Sequence, residues 1–520
     1  MIATLVSSTA LFAQLGETTP IDTPEIEWSA LMPILILAAG GILLLTLSSL
    51  VRSVRETPSA HAAITVIIAL ASGAFCVPLW QRVQDPSRGP LTAVAGALGI
   101  DGFSVMATGL IAVTVILTAL LLDGYLRREG LDSVEFYALV LLAGAGGAIM
   151  ASANDLIVMF LGLEALSIAI YVLAAMHHRR AESQEAGFKY LIVGAFSSAF
   201  FLYGIAMVYG ATGTTSLVGI ASFLAANVLL RNAMLLLGMA LLLVGFAFKI
   251  AAVPFGGWAP DVYEGSPTPI TAFMAAAVKV GAFAGMIRVF YLALSVQIDD
   301  WQPLIYALAV LTMVVGAILA VVQTNVKRLL AYSSISHAGF VLVAVYTGTT
   351  VGMSAMMFYL AAYIFMVIGS FGVVGLVSQR GDAAHSLDDY KGLSKSRPGI
   401  ALAFTVFLLA QAGVPFTSGF FGKFYVISAA VDSKNYILAL VAMLASVIAA
   451  VLYLKIIVSM YLSADDDGAA ATASGPTVSI PLTSATAIGI AVIATLVLGV
   501  LPNILVDLAN DAVPVLVALS

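Results

Sequence analysis

Residues 249–283 read KIAAVPFGGWAPDVYEGSPTPITAFMAAAVKVGAF. Two apolar segments, each carrying one lysine, flank a centre rich in proline and glycine. A lysine at the middle of a membrane helix costs roughly 2.5–3.5 kcal/mol on insertion scales, so a chain that keeps one there uses it. Pro254 removes a backbone donor and frees the carbonyl four residues earlier. In lipid such a break survives only inside protein or beside water. The stretch therefore reads as a broken membrane helix with Lys249 near the break, followed by a whole helix with Lys279 near its middle. The plain alternative is a proline kink that serves packing alone.

The pattern recurs. Ala251-Ala252-Val253-Pro254-Phe255 returns as Ala412-Gly413-Val414-Pro415-Phe416, again inside an interrupted apolar run and again near a lysine, Lys423. A span needs about 20 mostly apolar residues, and the chain holds about fourteen such runs. They begin near Leu31, His61, Phe103, Glu135, Asp155, Phe188, Arg231, Thr268, Pro303, Val326, Met353, Gly399, Tyr436 and Thr486. The two proline motifs fall in the seventh and twelfth runs. Five helices apart is an odd number, so the copies cross in opposite directions. The expected fold is an all-α polytopic membrane protein of about fourteen helices, with two inverted five-helix repeats, each containing a broken helix. Residues 1–134 hold an N-terminal extension and three spans, 135–293 the first repeat, 303–462 the second, and 463–520 a linker and the last span. Residues 214–230 read as an interfacial segment, and 463–479 as an acidic, small-residue linker.

Composition agrees. Hydrophobic residues make up 61% of the 520, charged residues 10%, and mean hydropathy is +1.06. A single cysteine, Cys76, excludes a disulfide framework or a cysteine-ligated cluster on this chain. The first residues lack the basic start of a signal peptide. Arg52, Arg55, Arg127, Arg128, Arg179, Arg180, Lys327, Arg328, Arg380, Lys391, Lys395 and Arg397 fall in loops of one parity; Arg82, Arg88, Arg231 and Lys434 fall in the other. The rule that basic loops stay inside makes the first set cytoplasmic and puts both termini outside.

Six basic residues remain within apolar runs: Lys189, Lys249, Lys279, Lys423, Lys455 and, nearer a segment end, Arg288. Glu164 lies inside the fifth span and shares a helical face with Ser167 and Tyr171. It reads as the partner of a lysine on a neighbouring helix, or as part of a structural ion pair. Lys249, Lys279 and Lys189 lie on three successive spans, where such groups can exchange charge as a partner moves. A snorkelling position suits Lys189 best. Ser333 and His337, four apart, give the tenth span a polar stripe, and histidine is a natural proton carrier. His177 and His178 read as interfacial, and His61 and His385 as flanking spans. The glycines of LLAGAGGAIM read as close helix packing rather than a dinucleotide fingerprint. The aspartates at 465–467 read as linker.

NDLIVMFLGLEALSIAIYVLAA, the opening stretch, KRLLAYSSISHAGF and DDYKGLSKSRPGIALAFTVFLLAQAGVPFTSGFFGKFYV together resemble the antiporter-like membrane subunits of respiratory complex I. The likeness covers roughly 30–510. It implies a proton-transfer axis of Glu164, Lys249 and Lys279, with Lys189, His337 and Lys423 as further members. It also implies no cofactor on this chain; FMN and iron–sulfur clusters belong to partner subunits, and the location is a bacterial cell membrane. Related subunits of one type carry Glu at the twelfth-helix position, and another type adds a long C-terminal helix; neither feature occurs here. The alternatives are a subunit of a multi-subunit Na⁺/H⁺ antiporter, and a structural membrane scaffold whose lysines only pair internally.

Overall fold

The computed structural model describes residues 26–55, 57–131, 133–227, 232–462 and 480–518. The N-terminal extension, Arg231 and the 463–479 linker lie outside the described residues. Twelve described helices are long and apolar enough to span a membrane. In chain order the main helices are α1 (Trp28–Leu50), α2 (Pro58–Gln84), α3 (Gly102–Glu129), α4 (Glu135–Ser152), α5 (Leu156–Ala175) and α6 (Ala181–Thr212). Then come α7 (Leu217–Ala226), α8 (Ala233–Lys249), α9 (Ala259–Gly265), α10 (Thr268–Met286), α11 (Ile298–Val321) and α12 (Val326–Thr347). The last are α13 (Thr350–Val377), α14 (Pro398–Ala412), α15 (Ser418–Asp432), α16 (Tyr436–Tyr461), α17 (Leu482–Val500) and α18 (Asn503–Asp511).

Two spans are broken where the prolines stand. α8 stops at Lys249 and resumes as α9, across a segment where Ala251 has φ 60°. α14 stops at Ala412 and resumes as α15, across Gly413 (φ 90°) and Phe416 (φ 67°). With these two, the described helices make fourteen passes. The short helix α7 occupies the stretch read as interfacial. The ninth span starts at Ile298, five residues before Pro303, so that proline lies inside the helix, past the first four donors that lack helical partners.

An even number of described passes leaves the first and last described residues on one face. Gln84 Nε2 donates to Asp511 O at 2.8 Å, and Asn154 Nδ2 donates to Val517 O at 3.0 Å, which ties the C-terminal residues to the ends of α2 and α4. The same face carries the one described hairpin, β1 (Leu91–Ala93) with β2 (Leu98–Ile100), antiparallel with Leu91 opposite Ile100. Arg288, in the turn of π-helix that extends α10, is fully buried here and donates to Asp101 Oδ1 at 2.7 Å and to Gly99 O at 3.1 Å. It is a paired structural cation.

A second repeat is written in backbone hydrogen bonds. Leu156 N–H donates to Thr215 O and Leu217 N–H to Asn154 O; likewise Val326 N–H donates to His385 O and Leu387 N–H to Thr324 O. In each pair Asp155 or Asn325 caps the start of α5 or α12, while Ser216 caps α7 and Ser386 caps a single 3-10 turn, Leu387–Tyr390. α5 and α12 run oppositely, so the two clips lie on opposite faces.

Every residue of α10 is buried, as is most of α12 and α13, while α1, α2, α6 and α16 expose broad apolar faces. The relay residues below therefore sit near the centre of the bundle. The glycine cluster of α4 is helix contact, as read: a Cβ on Gly146 would stand 2.5 Å from Leu166 N and 2.8 Å from Gly162 O.

Candidate functional site

Lys249 ends α8, so its ammonium lies at the negative end of a half-helix that stops inside the bundle. It is 3% exposed. Its Nζ donates to Ser167 Oγ on α5 at 2.7 Å, lies 3.5 Å from Tyr190 OH on α6, and stands 5.6 Å from the Tyr171 ring centroid. Glu164, one helical turn before Ser167, accepts from Ser198 Oγ on α6. The expected Glu164–lysine ion pair is absent: no described cation lies within ion-pair distance of Glu164. Ser167, Tyr171 and Ser198 instead line a cleft with Lys249. The shared face of Glu164, Ser167 and Tyr171 is as read, but the serine three residues on, not the carboxylate, reaches the ammonium.

Lys279, 3% exposed in the middle of α10, donates to the carbonyl and, at 2.6 Å, to the hydroxyl of Ser334 on α12. Tyr363 OH on α13 donates to the same Ser334 Oγ at 2.9 Å, and its ring centroid is 5.4 Å from Lys279 Nζ. His337 lies one turn further along α12. Its Nδ1 meets Tyr359 OH at 2.6 Å and its Nε2 meets Tyr453 OH at 2.9 Å. Tyr453 OH also meets Ser333 Oγ at 2.6 Å, so the Ser333–His337 stripe converges on one hydroxyl.

Lys423, 6% exposed on α15, donates to Ala412 O at 3.0 Å and to Ser446 Oγ on α16 at 2.9 Å. Ala412 is the last residue of α14, so this lysine folds back onto a carbonyl that the break leaves without a helical partner. The Phe340 centroid lies 5.1 Å from Lys423 Nζ and 6.5 Å from the His337 ring. Between Lys249 and Lys279 stands a second aromatic block, with Tyr190 stacked on Trp258 at 4.4 Å and Tyr263 edge-on to Trp258 at 6.2 Å. Trp258 is itself anchored to the break, donating to Phe248 O at 3.2 Å.

Two candidates fall elsewhere. Lys189 is 44% exposed and pairs with Glu185 at 2.7 Å and Asp261 at 3.1 Å, away from the buried groups. It lies two turns into α6, close to water, and its neighbour Tyr190 is the residue that faces Lys249. Lys455 donates to Gln323 O at 2.9 Å and so covers the C-terminal end of α11. Two of the loop histidines are buried in the protein: His177 lies beside Glu129, and His385, in the loop after α13, lies beside Asp382. Sequence reading also passed over Ser334, Tyr359, Tyr363, Tyr453 and Ser446. Tyr359 and Tyr363, four apart in a helix apolar elsewhere, were the available signal.

The transmembrane family described as NADH:quinone oxidoreductase/Mrp antiporter matches residues 153–449, the part that carries Glu164, Lys189, Lys249, Lys279, His337 and Lys423. The chain belongs to this family. Subunit N of the NADH-quinone oxidoreductase of Trichlorobacter lovleyi, a relative in the NADH:quinone oxidoreductase/Mrp antiporter family, is 40% identical over 94% of this chain and 97% of its own. A chain of respiratory complex I from Thermus thermophilus superposes with TM-score 0.74 and 32% identity, over 92% of this chain and all of that one. A chain of the Mrp complex from Dietzia gives TM-score 0.80 at 22% identity, over 94% of this chain and 97% of its own. That last likeness is one of fold.

Proposed function

We propose that this chain is the subunit N type of proton-translocating membrane subunit of an NADH-quinone oxidoreductase. It moves protons in response to NADH oxidation and quinone reduction carried out elsewhere in the complex. FMN and iron–sulfur clusters would sit in partner subunits. The observation that carries this reading is the set of three buried ammonium groups. Lys249 contacts two hydroxyls, and Lys279 and Lys423 each contact a hydroxyl and a carbonyl, with no carboxylate within ion-pair distance among the described residues. A scaffold would pair its buried cations with carboxylates, because an unpaired buried charge is costly. Groups held by hydroxyls can instead give up and regain a proton.

Hydroxyls both donate and accept, so Ser334 and Tyr363 link Lys279 toward His337, and Tyr359 and Tyr453 surround the imidazole. The hydrogen-bonded line stops at the aromatic block Tyr190–Trp258–Tyr263, between Tyr363 and His337, whose ring centroids stand 4.9 Å apart, and again at Phe340. Those are the three places where a side chain or water must move for a proton to pass, and the first and last abut a broken helix or its lysine. Glu164 acts at the Lys249 end, where its partner Ser198 lines one cleft with Ser167 and Lys249: a change of charge there alters the field at Lys249. The sodium-antiporter reading shares the fold, but the closer sequence likeness lies with the NADH-quinone oxidoreductase relatives. Co-purification decides between them: a flavin- and cluster-bearing arm supports this reading, and its absence overturns it.

Glu164→Ala is expected to lower proton pumping several-fold while the complex still assembles, since its loss orphans only the Ser198 hydroxyl. Glu164→Asp keeps the charge on a shorter arm and should retain part of the rate. Pumping at the wild-type rate by assembled Glu164→Ala complexes would remove Glu164 from the path. For orientation, the basic loops support a reading with the termini outside. A cysteine at exposed position 391, in a Cys76→Ser background, should resist labelling by an impermeant maleimide in intact cells; labelling there would reverse the topology.

A further inference from the structure

A second buried cluster of charge lies on the face opposite the termini, outside the relay. Its centre is the Asp382 carboxylate, 0% exposed. It accepts from Thr268 Oγ1 at 2.8 Å, Lys327 Nζ at 3.1 Å and Arg180 Nη1 at 3.2 Å, and His385 Nε2 stands 3.4 Å away. Lys327 also donates to Ser266 O at 2.8 Å. Beside it, buried Glu129 accepts from Arg128 at 2.8 Å and from the Gly381 N–H at 2.7 Å, with His177 at 3.5 Å. Burial opposes ionisation of Asp382, but Lys327, His385 and Thr268 together hold it well below the usual carboxylate range. Asp382 also has φ 52°, a left-handed conformation that a side chain disfavours and that persists only where surrounding contacts hold it.

The partners of Asp382 share one property. Thr268 is the first residue of α10, Lys327 the second of α12, and Arg180 immediately precedes α6. These three helices carry Lys279, the pair Ser334 and His337, and the pair Tyr190 and Ser198. One carboxylate thus fixes the starts of all three. Lys279 meets Ser334 across the α10–α12 gap, so sliding of one helix along the other by a fraction of a turn would part them. We propose that Asp382 is a positioning residue for proton transfer, clamping α6, α10 and α12 in the register that brings Lys279 onto Ser334. Helix register is a two-state element of the kind through which distant residues change coupling. The inference rests on the relay reading of Lys279.

The test uses the whole complex in inverted membrane vesicles, with assembled complex quantified for every variant. Thr268→Val removes the α10 contact and leaves the Asp382–Lys327 pair, so it is expected to fold even where Asp382→Asn does not. Both should lower pumping and kcat per assembled complex about fivefold, within the range that such coupling residues command, with the quinone KM unchanged. Thr268→Ser should restore the rate, and Thr268→Val should add no further loss to Lys279→Ala. Wild-type kcat per assembled complex in Thr268→Val, with or without less complex in the membrane, overturns the clamp. Normal pumping by Lys279→Ala would overturn the relay reading instead, and with it the clamp as a device for Lys279.

Discussion

Lys279→Ala is expected to lower NADH-driven proton pumping and quinone reduction together, in a complex that still assembles. A positioned proton-transfer group contributes about 10²–10⁴-fold to its step, so the drop should be on the order of a hundredfold. Assembly survives because Lys279 has no carboxylate partner whose charge would be orphaned; its contacts are the Ser334 carbonyl and hydroxyl, and Tyr363 continues to hold that hydroxyl. The usual penalty for breaking a buried ion pair, about 3–5 kcal/mol, therefore does not arise. Lys249→Ala should behave alike, since Ser167 also keeps its bond to the Leu163 carbonyl. Redox activity falls with pumping because a tightly coupled machine stalls when one proton step is blocked. A variant with full quinone reduction and no pumping would contradict that coupling, and full rates of both would remove the residue from the path.

Lys423→Arg is expected to assemble normally and pump poorly. Arginine keeps the charge, has donors enough for Ala412 O and Ser446 Oγ, and can face the Phe340 ring, so it meets every structural demand seen at this site. What it does not do is release a proton. Lys423→Glu, the residue that related subunits of another type carry here, restores a titrating group and should keep partial activity. Normal pumping by Lys423→Arg in reconstituted vesicles would show that the position need only be positive. Both lysines of the broken helices lie on the terminal-face side of their breaks, since α8 enters from that face and α15 leaves toward it. Under the proposed orientation Lys423 then stands at the outward end of the line.

Much of this protein is legible in one dimension because lipid imposes one-dimensional rules. Apolar runs of about 20 residues mark spans. A proline with a lysine nearby marks a break that only a protein interior tolerates, and the recurrence at Pro254 and Pro415 gives two broken spans of opposite direction. The structure has both breaks at those prolines. Lys249, Lys279, His337 and Lys423 were each found by the same reasoning, that a polar group in an apolar run is there for use. Lys189 fits the snorkelling alternative best. Its apolar neighbours in sequence form an exposed side of α6, and two acidic residues, Glu185 and Asp261, claim its ammonium near the helix start. His385 lies in a loop as read, and only the fold shows that it is buried beside Asp382.

The sequence by itself determined which segments cross the membrane, where two of them break, and which ionisable groups are carried inside, because each follows from the cost of exposing a polar group to hydrocarbon within a single segment. The tertiary structure alone decided partners. It put Ser334 rather than a carboxylate against Lys279, Ser167 rather than Glu164 against Lys249, and the open carbonyl of Ala412 against Lys423. It also gathered Thr268, Lys327 and Arg180 around Asp382. A hydrogen bond depends on the rotation and register of two helices to within a fraction of a turn, and those are set by packing among residues far apart in the chain.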